Sequence, residues 1–144
     1  MKKIMICVDI TEDSLESIKK GCMNLKYEDE DSVHLVHGFQ IRTYTDLFYV
    51  STMPGLEQYD TIRDSVIGIL NNIKDVIHAK NKNVNVIEEC LFSAFVKKEM
   101  LEYAEDKNMN KIIIFTRDKH GFFDSSFAQY MLKNSKSDLE IIRS

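Results

Sequence analysis

Apolar and polar residues form two kinds of pattern along the chain. Short runs dominated by apolar residues are typical of strands that are covered on both faces of a parallel sheet. These runs predict strands at Ile4–Val8, Val33–Phe39, Val84–Ile87, Ile112–Phe115 and Leu139–Ile142.

Between these runs, apolar residues recur every three or four positions, a spacing that places them on one face of a helix. The clearest stripe lies in the second predicted helix and consists of Tyr59, Ile62, Val66, Ile69, Ile73 and Val76. The other three helices are predicted to begin at side chains that can cap a helix, namely Thr11, Ser93 and either Ser125 or Ser126.

Strands and helices therefore alternate through the chain. This order predicts right-handed crossovers and a three-layer α/β/α domain, in which a parallel sheet has helices on both faces. At 144 residues the chain fits a single domain, residues 1–144. Ligands of such sheets bind at the carboxyl ends of strands, near the point where the strand order reverses. This rule selects Asp9 with Thr11, the Gly38 region and the loop after Phe115.

Composition narrows the range of partners. The net charge of -4 offers no general attraction to nucleic acid or to an anionic membrane. No segment approaches transmembrane length, and the apolar run at the amino terminus is too short for a signal peptide. Cys7, Cys22 and Cys90 form no CxxC pair, and free thiols are typical of a reducing cytosol. We therefore expect a cytoplasmic protein that binds neither nucleic acid nor membrane.

Three segments together resemble the universal stress protein family over nearly the whole chain. VDITEDS, residues 8–14, is similar to the family's first strand, which ends in V-D-x-S before a helix. VHLVHGF, residues 33–39, resembles its second strand, and residues 125–143 resemble its last helix and strand. The resemblance implies a five-stranded parallel sheet of order 3-2-1-4-5, as in adenine nucleotide alpha hydrolase-like folds. It also implies a homodimer formed through the last strand, where Leu139 and Ile141 give an apolar edge.

The family's nucleotide-binding members carry G-x2-G-x9-G-[S/T] between the fourth strand and the last helix. Their glycines let backbone N–H groups approach the phosphates, and the helix amino terminus favours the anion. Here Phe115, Asp118 and Ser125 stand at the three glycine positions, while Ser126 matches the hydroxyl position. Six residues separate Asp118 from Ser125, where the motif needs nine. These departures predict that tight ATP binding has been lost.

The charges in this loop support the same expectation. A carboxylate within about 4 Å of a phosphate costs on the order of a few kcal/mol, and Arg117, Lys119 and His120 offset that cost only in part. No cofactor is expected, with ATP or AMP as the alternatives. The residues to which the resemblance and their positions assign nucleotide binding are Asp9, Thr11, Arg117, Lys119, Gly121, Ser125 and Ser126.

The histidines give no catalytic or metal-binding pattern. His34 and His37 are three apart on a predicted strand, so their side chains point to opposite faces and do not chelate one metal. His120 lies beside Gly121 in the loop after the fourth strand. No histidine neighbours a serine or cysteine in a recognisable nucleophile motif.

A long aromatic segment, Phe39–Gly55, has three alternative interpretations. A connection of this length is uncommon in a compact domain unless it is functional or disordered, and its aromatic content disfavours disorder. It is a lid over the crevice, a surface for a partner, or a set of rings packed against the long helix.

Three functional hypotheses follow. The first is a universal-stress-like regulatory protein that is not an enzyme, lacks tight ATP binding and acts as a homodimer with protein partners not identified by the sequence. The second is a relative that binds ATP or AMP through an altered loop, with Arg117, Lys119 and Ser126 in place of the glycines. The third is a nucleotide-hydrolysing enzyme whose available groups are Asp9, Asp118, His120 and Asp124.

Overall fold

The computed structural model describes residues 1–10, 12–41, 56–116 and 125–143. Within these ranges strands and helices alternate, as the sequence predicts. The elements in chain order are β1 Lys3–Cys7, α1 Glu12–Asn24, β2 Ser32–Gln40, α2 Leu56–Lys80, β3 Asn85–Ser93, α3 Val96–Asp106, β4 Lys111–Thr116, α4 Ser125–Asn134 and β5 Asp138–Arg143.

The five strands form one sheet of order β3-β2-β1-β4-β5, and all four neighbouring pairs are parallel. β1 lies at the centre, where Ile6 is opposite Leu35 of β2 on one side and Ile113 of β4 on the other. The strand order reverses between β1 and β4, so the crevice expected for a ligand lies at the carboxyl ends of these two strands. The predicted α/β class and strand order are confirmed.

Successive residues of the central strands alternate between two apolar clusters, one on each face of the sheet. Ile4 and Ile6 face a cluster that includes Ile18 of α1 and Leu70 of α2. The second cluster includes Met5 and Cys7 from β1, with Met100 from α3 and Phe127 and Met131 from α4. Because both faces are covered, β1 and β4 are apolar at nearly every position, which is why their sequences form continuous runs.

The long helix α2 has 25 residues and packs one face against the sheet. Val66, Leu70, Ile73 and Ile77 are the residues of this face that are buried. The sequence pattern predicted that Ile69 and Val76 lie on this face, whereas Leu70 and Ile77 are the residues buried there. In the described part of the chain, no helix is both long and apolar enough to cross a membrane.

The third strand extends further than predicted. It runs over Asn85–Ser93, whereas the apolar pattern ends at Ile87. Glu88 interrupts the pattern, but it lies on an edge strand, where Lys74 of α2 reaches its carboxylate at 3.5 Å. The prediction that Ser93 caps α3 is wrong, because the strand continues through this residue and the N-cap residue is Phe95.

Cys7, Cys22 and Cys90 are free thiols, as the sequence predicts, and all three are buried. Burial raises the pKa of the Cys22 thiol to about 12, with an opposing contribution from a hydrogen bond to Tyr27. Burial also raises the pKa of Cys90 to about 11. The thiols therefore stay protonated at neutral pH, which makes them poor nucleophiles and poor metal ligands.

Candidate functional site

Asp9 follows β1 at the carboxyl edge of the sheet, at the place where the strand order reverses. The backbone ladder continues up to this point, because Val8 N–H donates to Val36 O at 2.8 Å. The Asp9 side chain is only 7% exposed, and its Oδ2 accepts a hydrogen bond from Ser14 Oγ of α1 at 3.3 Å. Asp9 therefore joins the end of β1 to the first turns of α1, and little of its carboxylate faces solvent.

His37 of β2 is buried beside this aspartate. Its Nδ1 donates to the Val8 carbonyl at 2.8 Å, and since a carbonyl only accepts, this nitrogen carries the proton. Burial lowers the pKa of His37, while the Val8 hydrogen bond and the charge of Asp9 oppose that shift. The neutral imidazole thus fixes the carbonyl that immediately precedes Asp9 in the chain.

His34 lies on the opposite face of β2, as predicted. Its Nδ1 is 2.7 Å from the hydroxyl of Tyr103 in α3, and the two rings pack edge to face. Burial lowers the pKa of His34, and the positive charges of Lys107 and Lys3 lower it further. Across the described ranges, no group of three or more His, Cys, Asp or Glu side chains is arranged to hold a metal ion.

The two buried histidines predict a loss of stability in mild acid. Both imidazoles have a lowered pKa in the folded state. At pH values around the ordinary imidazole pKa of about 6.5, the unfolded chain therefore binds more protons than the folded chain does. The contribution of the two histidines to the free energy of unfolding is fully present above that pKa and is lost as the pH falls below it. Urea unfolding should therefore give a smaller free energy of unfolding at pH 5.5 than at pH 7.5.

The control for this pH dependence is the variant His37→Gln, which removes one of the two titrating groups. It should be less stable than the original chain at both pH values, because the flexible glutamine side chain does not hold a donor at Val8 O as the fixed imidazole does. The difference between the two pH values should shrink. An unchanged difference in His37→Gln would contradict the assignment of this histidine.

The other half of the edge is formed by the amino ends of α3 and α4. Ser126 lies in the first turn of α4 and is exposed. Lys97, in the first turn of α3, donates from Nζ to Ser126 Oγ at 2.7 Å. This contact brings a positive charge to a helix amino terminus, where N–H groups already favour an anion. The arrangement is suited to an anionic group more than to a cation.

Gly38 explains how α3 reaches this edge. A Cβ atom built on Gly38 would lie 2.4 Å from Val96 Cγ1 and 3.0 Å from Met100 Sδ. The glycine therefore lets the first turns of α3 lie directly on β2. Gln40, two residues further on, donates from Nε2 to Ala94 O at 2.7 Å and fixes the turn before α3.

The residues predicted from the sequence to bind a nucleotide are only partly described by the structure. Asp9 and Ser126 are described, and both lie at the carboxyl edge. Ser125 is the first residue of α4, but its side chain is not among those described. The predicted residues that lie outside the described ranges are Thr11, Arg117, Lys119 and Gly121, together with Asp118, His120 and Asp124 of the hydrolase hypothesis.

Ser14, His37 and Lys97 are the site residues that were not predicted. The contact of Ser14 could have been inferred from the sequence, since this residue lies on α1 five positions after Asp9. The sequence also indicated His37, because it is near the end of a strand whose carboxyl terminus lies at the crevice. No sequence pattern indicated Lys97, because its approach to Ser126 depends on how α3 and α4 pack.

Part of the aromatic segment is accounted for by packing. The Phe39 ring lies 5.3 Å from that of Phe92 at the end of β3, and Phe92 also contacts Tyr59 of α2 at 5.1 Å. Arg63 lies over the Phe92 ring. Phe39 therefore belongs to a cluster between the sheet and the long helix. Residues 42–55, with Tyr44, Phe48 and Tyr49, lie outside the described ranges, so their role stays a hypothesis.

Comparisons of sequence find no protein-family model and no curated protein that match the chain. Solved structures do match it. The hypothetical protein MJ0577, a test case for assigning biochemical function from structure, has a TM-score of 0.72 at 19% identity. The match covers 99% of this chain and 96% of that one.

Two further matches are named universal stress proteins. The one from Archaeoglobus fulgidus has a TM-score of 0.59 at 15% identity and covers 99% of this chain and 93% of its own. A universal stress protein in complex with cAMP has a TM-score of 0.55 at 11% identity, covering 99% and 96%. The chain therefore has the fold of universal stress protein structures over nearly its full length, as the resemblance in sequence implied.

Proposed function

We propose that the chain is a universal stress protein that acts in the cytoplasm as a regulatory homodimer, without catalysis and without tight ATP binding. The observation that carries the proposal is the fold, matched over 99% of the chain by structures that are named universal stress proteins. The sequence adds the family's first-strand motif, V-D-x-S in its relatives and VDIT here.

Loss of tight ATP binding is supported by the loop and by Asp9. The loop after β4 has Phe115, Asp118 and Ser125 at the positions of the phosphate-binding glycines. Asp9, at the position that helps to hold the nucleoside in nucleotide-binding relatives, is mostly buried and already accepts from Ser14. A nucleoside that uses this carboxylate has to compete with that hydrogen bond, which weakens its net gain.

The second candidate is an adenine-nucleotide binder with a rebuilt phosphate site. The observation in its favour is Lys97, whose ammonium lies next to Ser126 at the amino end of α4. A lysine and a helix amino terminus together favour a phosphate even where glycines are missing. One solved universal stress protein of this fold is in complex with cAMP.

Two assays on purified protein separate these candidates and the enzyme hypothesis. Denatured protein is analysed for co-purified nucleotide, and native protein is incubated with Mg-ATP while released phosphate is measured. We expect neither bound nucleotide nor turnover. Turnover that disappears in Asp9→Ala, with the fold intact by circular dichroism, would instead support the hydrolase.

The homodimer is proposed through β5, which lies at one edge of the sheet and pairs with β4. Ile141 is 46% exposed on this strand. An exposed apolar edge strand tends to be paired or covered, because its free N–H and C=O groups otherwise bind another chain. Pairing of two β5 strands would satisfy those groups and cover Ile141.

The variant Ile141→Lys tests this dimer. A lysine at the centre of the interface is expected to convert the protein from dimer to monomer at micromolar concentration, because its charge would be buried without a partner. Sedimentation equilibrium measures the change. The matched control is Met23→Lys, at a methionine of α1 that is 57% exposed, and it should remain dimeric. An original chain that sediments as a monomer would overturn the proposed dimer.

A further inference from the structure

A cavity opens between α3, α4 and the end of β2 at the carboxyl edge of the sheet. Its volume is about 350 Å³, and its lining consists of Gln40, Phe95, Val96, Lys97, Lys98 and Tyr130. These residues do not overlap with those predicted from the sequence to bind a nucleotide. Two aromatic rings, a valine and the alkyl stems of two lysines make its walls mostly apolar.

The turn that carries Phe95 is held in place by hydrogen bonds. Phe95 N–H donates to Ser93 Oγ at 2.9 Å, and Gln40 Nε2 donates to the carbonyl of Ala94 at 2.7 Å. The Phe95 side chain is nevertheless 72% exposed. Because the turn is fixed, the backbone that carries this ring loses little conformational freedom when a ligand covers it, which favours binding.

The charges at the cavity favour an anion. The lining residues that the structure describes include two lysines and no acidic residue. Lys98 is 3.9 Å from the carboxylate of Glu102, so its charge is partly compensated. The Lys97 ammonium instead donates to the neutral hydroxyl of Ser126. Among the described residues that line the cavity, Lys97 therefore carries the positive charge that no carboxylate opposes, and it lies beside an apolar wall.

We propose that this cavity binds a small planar aromatic carboxylate, with its ring against Phe95 and Tyr130 and its carboxylate at Lys97. The volume lies near the lower end of the range of about 300–1,000 Å³ that is usual for small-molecule sites, which leaves room for one or two fused rings. One carboxylate matches the single charge of Lys97 better than a doubly charged phosphate does. The proposal goes beyond the regulatory function, since it uses neither Asp9 nor β5, and it shares only Lys97 with the adenine-nucleotide candidate.

Titration with naphthoate tests the proposal. The chain contains no tryptophan, so naphthyl fluorescence can be followed without tryptophan emission. We expect saturable binding with a dissociation constant near or below about 1 mM. Phe95→Ala should weaken binding about tenfold or more, because it removes an apolar wall. Lys97→Met, which keeps the apolar stem, should weaken it about fivefold or more by removing the charge.

Matched variants and probes make the test decisive. Met23→Ala and Lys82→Met remove an exposed apolar side chain and an exposed charge elsewhere, and both should bind naphthoate as the original chain does. Naphthylmethylammonium, the cation of similar shape, should bind at least about tenfold more weakly. The proposal is overturned by absence of saturable naphthoate binding to the folded protein, by equal binding of the cation, or by unchanged affinity in Phe95→Ala and Lys97→Met. Tighter binding of naphthyl phosphate than of naphthoate would overturn the assignment to a carboxylate.

Discussion

Replacing Phe127 with alanine is expected to lower the free energy of unfolding by about 3–5 kcal/mol. Phe127 is one of the largest side chains that are fully buried, and it lies in the cluster that joins α4 to the sheet, with Met5 and Ile114. Its removal leaves a cavity that the packed strands cannot close by moving. Urea unfolding at pH 7.5, followed by circular dichroism, measures the loss.

Leu132→Ala is the matched control on the same helix. Leu132 is 68% exposed, so its truncation should change the free energy of unfolding by no more than about 0.5 kcal/mol. Equal stability of Phe127→Ala and Leu132→Ala would contradict the described packing of α4 against the sheet. Phe127→Ala should also disturb the candidate site, because Ser126 directly precedes Phe127 and would lose its fixed position beside Lys97.

Gly38→Ala is expected to lower the free energy of unfolding by about 1–3 kcal/mol. The added Cβ would lie 2.4 Å from Val96 Cγ1, far inside normal contact distance. Val96 is β-branched and buried at the start of α3, so it has little freedom to turn away. The helix has to move off β2, which also disturbs the cavity beside Phe95. The same urea unfolding experiment measures this cost.

The opposite sign is expected for the same chemical change at Gly68. A Cβ on Gly68 would have no neighbour within 4 Å, and the residue is exposed in the middle of α2. Alanine should therefore raise the free energy of unfolding by about 1 kcal/mol, through its higher helix propensity. A loss of stability in Gly68→Ala, or a gain in Gly38→Ala, would contradict the described packing at that position.

The sequence predicted the central strands well because both their faces are buried. Ile4–Val8 was predicted and Lys3–Cys7 is observed for β1, a difference of one residue at each end. The edge strand β3 was predicted poorly, because Glu88 breaks its apolar run, and its pairing with Lys74 of α2 is not visible in the local pattern. The strand order 3-2-1-4-5 was implied by the resemblance to a family, since periodicity within elements says nothing about how strands neighbour one another.

The site was predicted at Asp9 because position alone identifies a polar residue at the end of a central strand. Its contacts were not predicted, because they join residues that are distant in sequence. His37 and Val8 are 29 positions apart, and so are Lys97 and Ser126. Such pairs depend on strand register and on helix packing, which local pattern does not determine.

We propose, in sum, that this chain combines the universal stress protein fold with loss of tight ATP binding. The most direct test of this claim is a calorimetric titration of the purified protein with Mg-ATP, after removal of any co-purified nucleotide and confirmation of the fold by circular dichroism. We predict no saturable heat at protein and ligand concentrations of about 10–100 μM, which corresponds to a dissociation constant weaker than that range. A dissociation constant of about 1 μM or tighter would contradict the claim and would make TRDKHGFFDSS, residues 116–126, a rebuilt phosphate loop.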